Sequence, residues 1–170
     1  EKIPRDAFAE FIAQRFADGG IEVLSSTIAS ILDVTEDHPY YTQLLCHVLW
    51  DRAGEKRSLA EEDVERAIEE VFLREAHAFH DQWDALPLGA RQVLVALASE
   101  GSGQLHLYSS GFLQKHDLGP ASSVQRAVSG LIAEEILERN DGGYLFTDVF
   151  FKRWIAREFV RRNGGTGDRD

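Results

Sequence analysis

Two stretches of the chain hold side chains that could do chemistry together. In TEDHPYYTQLL, Thr35 to Leu45, the side chains of His38, Pro39, Tyr40 and Tyr41 stand together at a helix start. In HAFHDQWD, His77, His80, Asp81 and Asp84 recur at the three- and four-residue spacing that brings metal ligands to one side of a helix. The favoured reading of the second stretch is no metal, because a solvent-facing side opposite Phe72, Phe79 and Trp83 carries such residues without any ligand. The six histidines allow Ser/His/Asp triads on paper, but no Gly-x-Ser-x-Gly elbow supports one. No Gly-x-x-x-x-Gly-Lys-Ser/Thr loop occurs either, so nothing here cradles a triphosphate or positions magnesium. The single cysteine, Cys46, lies among Leu44, Leu45, Val48 and Leu49, which suits a buried thiol rather than a nucleophile and excludes an internal disulfide. Catalytic residues and a metal site are therefore not expected.

Elements that could position these side chains follow from apolar spacing. Ala7, Phe8, Phe11, Ile12 and Phe16 predict a helix from Pro4 to Ala17, stopped by Gly19-Gly20. Leu24, Ile28, Ile31 and Leu32 repeat the pattern up to Val34. The third helix starts at the His-Pro-Tyr-Tyr cluster, with Thr35 or Asp37 expected to accept from the free N–H groups and Pro39 in the first turn. Its Tyr41, Leu44, Leu45, Val48 and Leu49 make it the expected buried helix. After the loop AGEKR, Ser58 and Glu61 predict a capping box, followed by the long stripe Val64, Ala67, Ile68, Val71, Phe72, Ala76, Phe79 and Trp83. Residues 1–85 thus read as a four-helix module, and Leu86-Pro87 as the boundary.

The second half differs in kind. A helix over Leu88 to Ser99 precedes a short strand in QLHLY, a helix near Ser110 to His116, a helix in PASSVQRAVSGLIAEE, and two short strands around Asn140-Asp141-Gly142-Gly143. A last helix carries Val149, Phe150, Phe151, Trp154, Ile155 and Phe159. This is the order of a winged helix-turn-helix. The expected architecture is mainly α: a lid-like bundle over 1–85, a winged helix over 86–162, and a disordered polar tail over 163–170.

Charge divides the halves as well. Residues 1–85 hold 8 Lys and Arg against 19 Asp and Glu, the source of the whole net charge of −11, whereas residues 86–170 hold 10 against 10. An acidic first half is unsuited to gripping nucleic acid, whose affinity rests on cations at phosphates. In the second half, Ser122, Ser123, Gln125 and Arg126 are the expected exposed residues of the recognition helix, with Arg139 at the wing and Lys152 and Arg153 on the final helix. Arg126 alone could make a bidentate guanine contact, while Glu134, Glu135, Glu138 and Asp141 sit close by in sequence. A protein partner is favoured over duplex DNA on that ground. The apolar runs fall far short of the roughly 20 residues that span a bilayer, so no membrane association is expected and the protein is read as cytoplasmic. A start on Glu1 without any Met, and the tail RNGGTGDRD, suggest a piece of a longer protein.

Taken in order, DHPYYTQLLCHVLWD, SLAEEDVERAIEEV, WDALPLGARQVLVALA and SSVQRAVSGLIAEEILERNDGGYLFTDVFFKRWI resemble the C-terminal part of the archaeal-type ATPases, a branch of the AAA+ and related signal-transduction P-loop ATPases. The resemblance spans Pro4 to Val160. It implies a helical lid and a winged helix behind an upstream P-loop nucleotide-binding domain that holds ATP or ADP with magnesium. A Gly-x-Pro-like element at the start of a lid helix lies against the adenine and sugar in that family. Here His38 and Pro39 occupy its last two positions with Tyr40 beside them, and Asp37 stands where glycine is usual. From the residues alone, the cluster reads equally as a helix start whose Tyr40 and Tyr41 help fill the core. The expected function is a non-catalytic regulatory segment that contacts nucleotide and passes its state to a protein or DNA partner. A winged-helix DNA-binding module and an interaction scaffold are the alternatives.

Overall fold

The computed structural model describes residues 3–100, 107–140 and 143–160. By its internal contacts the chain forms two compact units, Glu1–Ala76 and His77–Asp170. The expected boundary at Leu86-Pro87 lies further along, inside the second unit.

In the first unit, Phe8, Ile12 and Phe16 recur every fourth residue and form the buried side of α1 (Arg5–Asp18). Phe11, counted with them in the sequence pattern, is instead exposed. The helix ends as expected at Gly19-Gly20, where the Gly20 N–H reaches the Ala17 carbonyl at 2.8 Å and Gly20 takes φ +70°. The chain then forms β1 (Glu22–Val23), which pairs in parallel with β2 (Ser58–Leu59). Strands this short carry too little alternation to be read from sequence. Between them lie α2 (Ser25–Thr35), which buries Ile28, Ile31 and Leu32, and α3 (Pro39–Ala53), which buries Leu45, Val48 and Leu49. Of the five residues expected to bury α3, Leu45, Val48 and Leu49 are buried and Tyr41 and Leu44 half-buried, while Tyr40, Gln43, His47 and Trp50 leave its other side exposed. Arg52 of α3 donates to Glu70 at 3.4 Å, tying it to the next helix.

That helix, α4 (Glu61–Ala85), buries Val64, Ala67, Ile68, Val71 and Phe72 in the first unit. Ser58 and Glu61 do not form its cap, since Ser58 pairs in β2. Instead Asp63 reaches back and accepts from the Ala60 N–H at 2.9 Å, which is half of a capping box shifted by two residues. That hydrogen bond, with Lys56 and Arg66 nearby, holds the Asp63 carboxyl below the ordinary carboxylate range.

The second unit opens with the last turns of α4, where Phe79 and Trp83 are buried. It continues through α5 (Leu88–Ser99), α6 (Ser110–Lys115), α7 (Ala121–Ala133), the antiparallel pair β3 (Leu137–Asn140) and β4 (Gly143–Phe146), and α8 (Val149–Ile155). A π-helical turn, Ala156–Val160, follows α8. The expected short strand in QLHLY lies largely outside the described residues, and its last two, Leu107 and Tyr108, form a turn. Asp141 and Gly142 of the hairpin turn and the expected tail 163–170 also lie outside the described residues. Two caps are explicit: Ser109 Oγ accepts from the Phe112 N–H at 3.3 Å, and Asp148 Oδ1 from the Phe150 and Phe151 N–H groups at 2.8 and 3.0 Å. Leu94, Leu131, Leu137, Phe150, Phe151 and Ile155 form the core. Trp154 lies among Phe79, Trp83 and Phe151, and Trp83 stacks on Phe159.

Candidate functional site

The start of α3 is built by an unusual turn. Glu36 and Asp37 are consecutive non-glycine residues in the left-handed region, with φ +52° and +58°. The turn is closed by the Asp37 N–H donating to the Leu32 carbonyl at 3.0 Å and the His38 N–H to the Thr35 carbonyl at 2.9 Å. Residue 37 therefore takes the backbone conformation that glycine adopts most cheaply. Its carboxylate turns to Arg5, whose Nη1 donates to Asp37 Oδ1 at 2.6 Å. The same guanidinium pairs with Asp33 and donates to the Ala29 carbonyl at 3.3 Å. Arg5 thus joins the first turn of α1 to α2 and to the turn before α3, a role with no signal in the sequence because 32 residues separate it from Asp37.

Neither Thr35 nor Asp37 caps α3, contrary to expectation. His38 is the N-cap, without a side-chain hydrogen bond. Thr35 is the last residue of α2 and fully buried; its hydroxyl donates to the Ile31 carbonyl at 2.9 Å and meets the Thr42 hydroxyl at 2.7 Å. This buried polar pair ties the end of α2 to the second turn of α3.

The side chains presented by that frame point outward. His38, Pro39 and Tyr40 are exposed, Tyr40 to 63%, and Tyr41 is half-buried. The His38 and Tyr41 rings lie 4.8 Å apart, and the Tyr40 ring meets Tyr41 edge-on at 5.1 Å. Tyr40 therefore does not fill the core. The cluster offers aromatic faces, an imidazole and a rigid proline ring, groups suited to stacking on a planar ligand.

On the second unit, Ser122, Ser123, Gln125 and Arg126 are exposed together on α7, whose Val124, Val128 and Leu131 face the core. Arg139 is exposed on β3, opposite Tyr144 in the hairpin. Lys152 and Arg153 lie half-buried on α8, so the two are less available than the residues of α7. Tyr144 also joins its hydroxyl to that of Tyr108 at 2.9 Å. Burial and this hydrogen bond push the Tyr108 phenol up to about 12.

The remaining reactive groups are spread over both units. His77, His80, Asp81 and Asp84 lie on the exposed side of α4, and the His80 ring packs edge-on against Trp154 at 5.0 Å. Among the described residues no three His, Cys, Asp or Glu side chains converge as metal ligands. Burial pushes the Cys46 thiol up to about 12, which leaves almost no thiolate at neutral pH. Glu100 accepts from Lys115 Nζ and pairs with His116 Nε2, both at 2.6 Å, and these partners hold its carboxyl below the ordinary range. No helix among the described residues is long and apolar enough to cross a membrane.

Comparison with known proteins bears on the second unit. Residues 77–157 match a family model described as a probable winged helix domain. Among solved structures the chain is similar to the RuvB Holliday junction branch migration motor of Thermotoga maritima and to two substituted forms of it, each at 13% identity and a TM-score of 0.41. Each match covers 91% of this chain and 49% of the RuvB chain, so the sequence spans about half the length of those proteins. No curated protein matches the chain. The chain is mainly helical, and its second unit, with the α5 to α8 order and the β3–β4 hairpin, is a winged-helix domain.

Proposed function

We propose that this chain is the non-catalytic lid and winged-helix segment of a P-loop ATPase of the archaeal type, and that it contacts the adenine side of ATP or ADP, bound with magnesium in an upstream domain. The observation that carries the reading is the exposed His38-Pro39-Tyr40 cluster on a turn whose residue 37 has φ +58°. A glycine-like backbone persists where the family uses glycine, and Arg5 engages the Asp37 carboxylate, which lowers its repulsion toward phosphate. The bound nucleotide would supply the phosphoryl chemistry. His38, Pro39 and Tyr40 would hold the base, and the winged helix would bring a protein or DNA partner under the influence of the nucleotide state. Such coupling requires two arrangements with different nucleotide affinity. In a chain carrying the upstream domain, His38→Ala with Tyr40→Ala is expected to weaken binding of a fluorescent ADP analogue about tenfold, roughly the 1.4 kcal/mol of a lost stacking contact. Unchanged affinity and turnover would remove the adenine assignment.

A second reading, duplex DNA binding by the winged helix, is favoured by one observation: Ser122, Ser123, Gln125 and Arg126 share the exposed face of α7. It requires binding that falls steeply with salt and is weakened by Arg126→Ala. Absence of binding at low salt would leave a protein partner, or a pure scaffold, for this face.

A further inference from the structure

The first unit carries an open groove of about 500 Å³ between α1 and α3, independent of the His38 cluster. Phe8, Ile12 and Phe16 form its buried floor, while Phe11 on α1 and Trp50 on α3 form its edges, exposed to 50% and 41%. These edges are held in place. The Arg15 guanidinium lies 5.1 Å from the Phe11 centroid, and Trp50 stacks on Phe16 at 5.9 Å. Trp50 also occupies the space left by Gly19, where a Cβ would fall 1.9 Å from the indole. The volume suits a few large apolar side chains, within the roughly 300–1,000 Å³ of binding pockets. Its two walls run along helices, the geometry in which a third helix beds its apolar stripe.

Charge selects the occupant. The first unit, residues 1–76, holds 8 Lys and Arg against 17 Asp and Glu. On α1 the row Asp6, Glu10, Gln14 and Asp18 lies beside the row of Ala7, Phe11 and Arg15 at helical spacing, and Asp51 lines the α3 wall. That field repels nucleic acid, anionic membrane surfaces and a second copy of the same acidic unit, and attracts a cationic partner. We infer that the α1–α3 groove receives an amphipathic helix of a partner protein, with Leu or Phe at i, i+3 or i+4 and i+7 and with Lys or Arg flanking that stripe.

The test uses the full chain and a fluorescein-labelled helical peptide of Leu and Lys in amphipathic order, about five turns long. Anisotropy is expected to show saturable binding that weakens with salt, falls about tenfold or more in Phe11→Glu and in the milder Phe11→Ser, and is unchanged in Leu73→Glu, an exposed position on α4 outside the groove. A peptide with Glu in place of Lys is expected not to bind. Three results would overturn the proposal: equal binding by both Phe11 variants, which would place the peptide elsewhere on the acidic surface; equal binding of the Glu peptide; or a chain that sediments as a dimer dissociated by Phe11→Glu, which would make the groove a self-interface.

Discussion

Arg5 donates to Asp37 at 2.6 Å and at the same time pairs with Asp33, so one guanidinium clamps the turn that presents His38 and Tyr40. Arg5 is partly exposed, and an ion pair screened by solvent contributes only about 0.5–1 kcal/mol. Arg5→Ala is expected to lower stability by that amount, with the loss shrinking in high salt, as read by urea unfolding. Residue 37 responds differently. Its positive φ makes Asp37→Gly close to neutral, strain relief offsetting the lost pair, whereas Asp37→Val should cost about 1–2 kcal/mol because a β-branched side chain disfavours that backbone.

Trp83 stacks on Phe159 with centroids 4.2 Å apart and planes 17° from parallel, and meets Trp154 edge-on at 6.2 Å. Truncation to Ala would leave a cavity in the core of the winged-helix unit and is expected to cost about 3–5 kcal/mol, measured by thermal unfolding. Leu86 is buried in the same unit, so limited proteolysis at Leu86-Pro87 is expected to be slow in the wild type and fast in Trp83→Ala.

Two buried threonines on α2 should behave oppositely. Thr35 shares a hydrogen bond with Thr42, so Thr35→Val leaves the Thr42 hydroxyl buried without this partner and is expected to destabilise by about 1–3 kcal/mol. Thr27 Oγ1 has no hydrogen-bond partner among the described residues, so Thr27→Val replaces it at constant volume and is expected to be neutral or stabilising by about 1 kcal/mol. Parallel denaturant curves of the two variants separate these outcomes.

Asp63 and Glu100 both have folded-state pKa values below their ordinary 3.8 and 4.5. The sign follows: their stabilisation is fully present above those values and is lost as pH falls below them toward the lower folded-state values. Acid unfolding followed by circular dichroism is expected to show a shallower acid limb in Asp63→Asn and in Glu100→Gln. Both variants should lie closest to wild type at the lowest pH, where the carboxyls are already protonated.

Local order was legible because it is written in nearby residues. The apolar rows of α1, α4 and α7, the Gly19-Gly20 stop and the hairpin before α8 all rest on interactions within a few positions, where spacing alone decides which side meets the core. Position 37 could be singled out, but not its backbone angle. Only the tertiary structure decided what depends on distant partners: the β1–β2 pair, the move of the α4 cap from Ser58 to Asp63, the burial of Thr35 against Thr42, and the reach of Arg5 to Asp37. It also turned Phe11, which the apolar spacing of α1 had counted toward the core, outward to edge a groove with Trp50. An apolar residue is buried only if another element arrives to cover it, and which element arrives is a property of the packed chain.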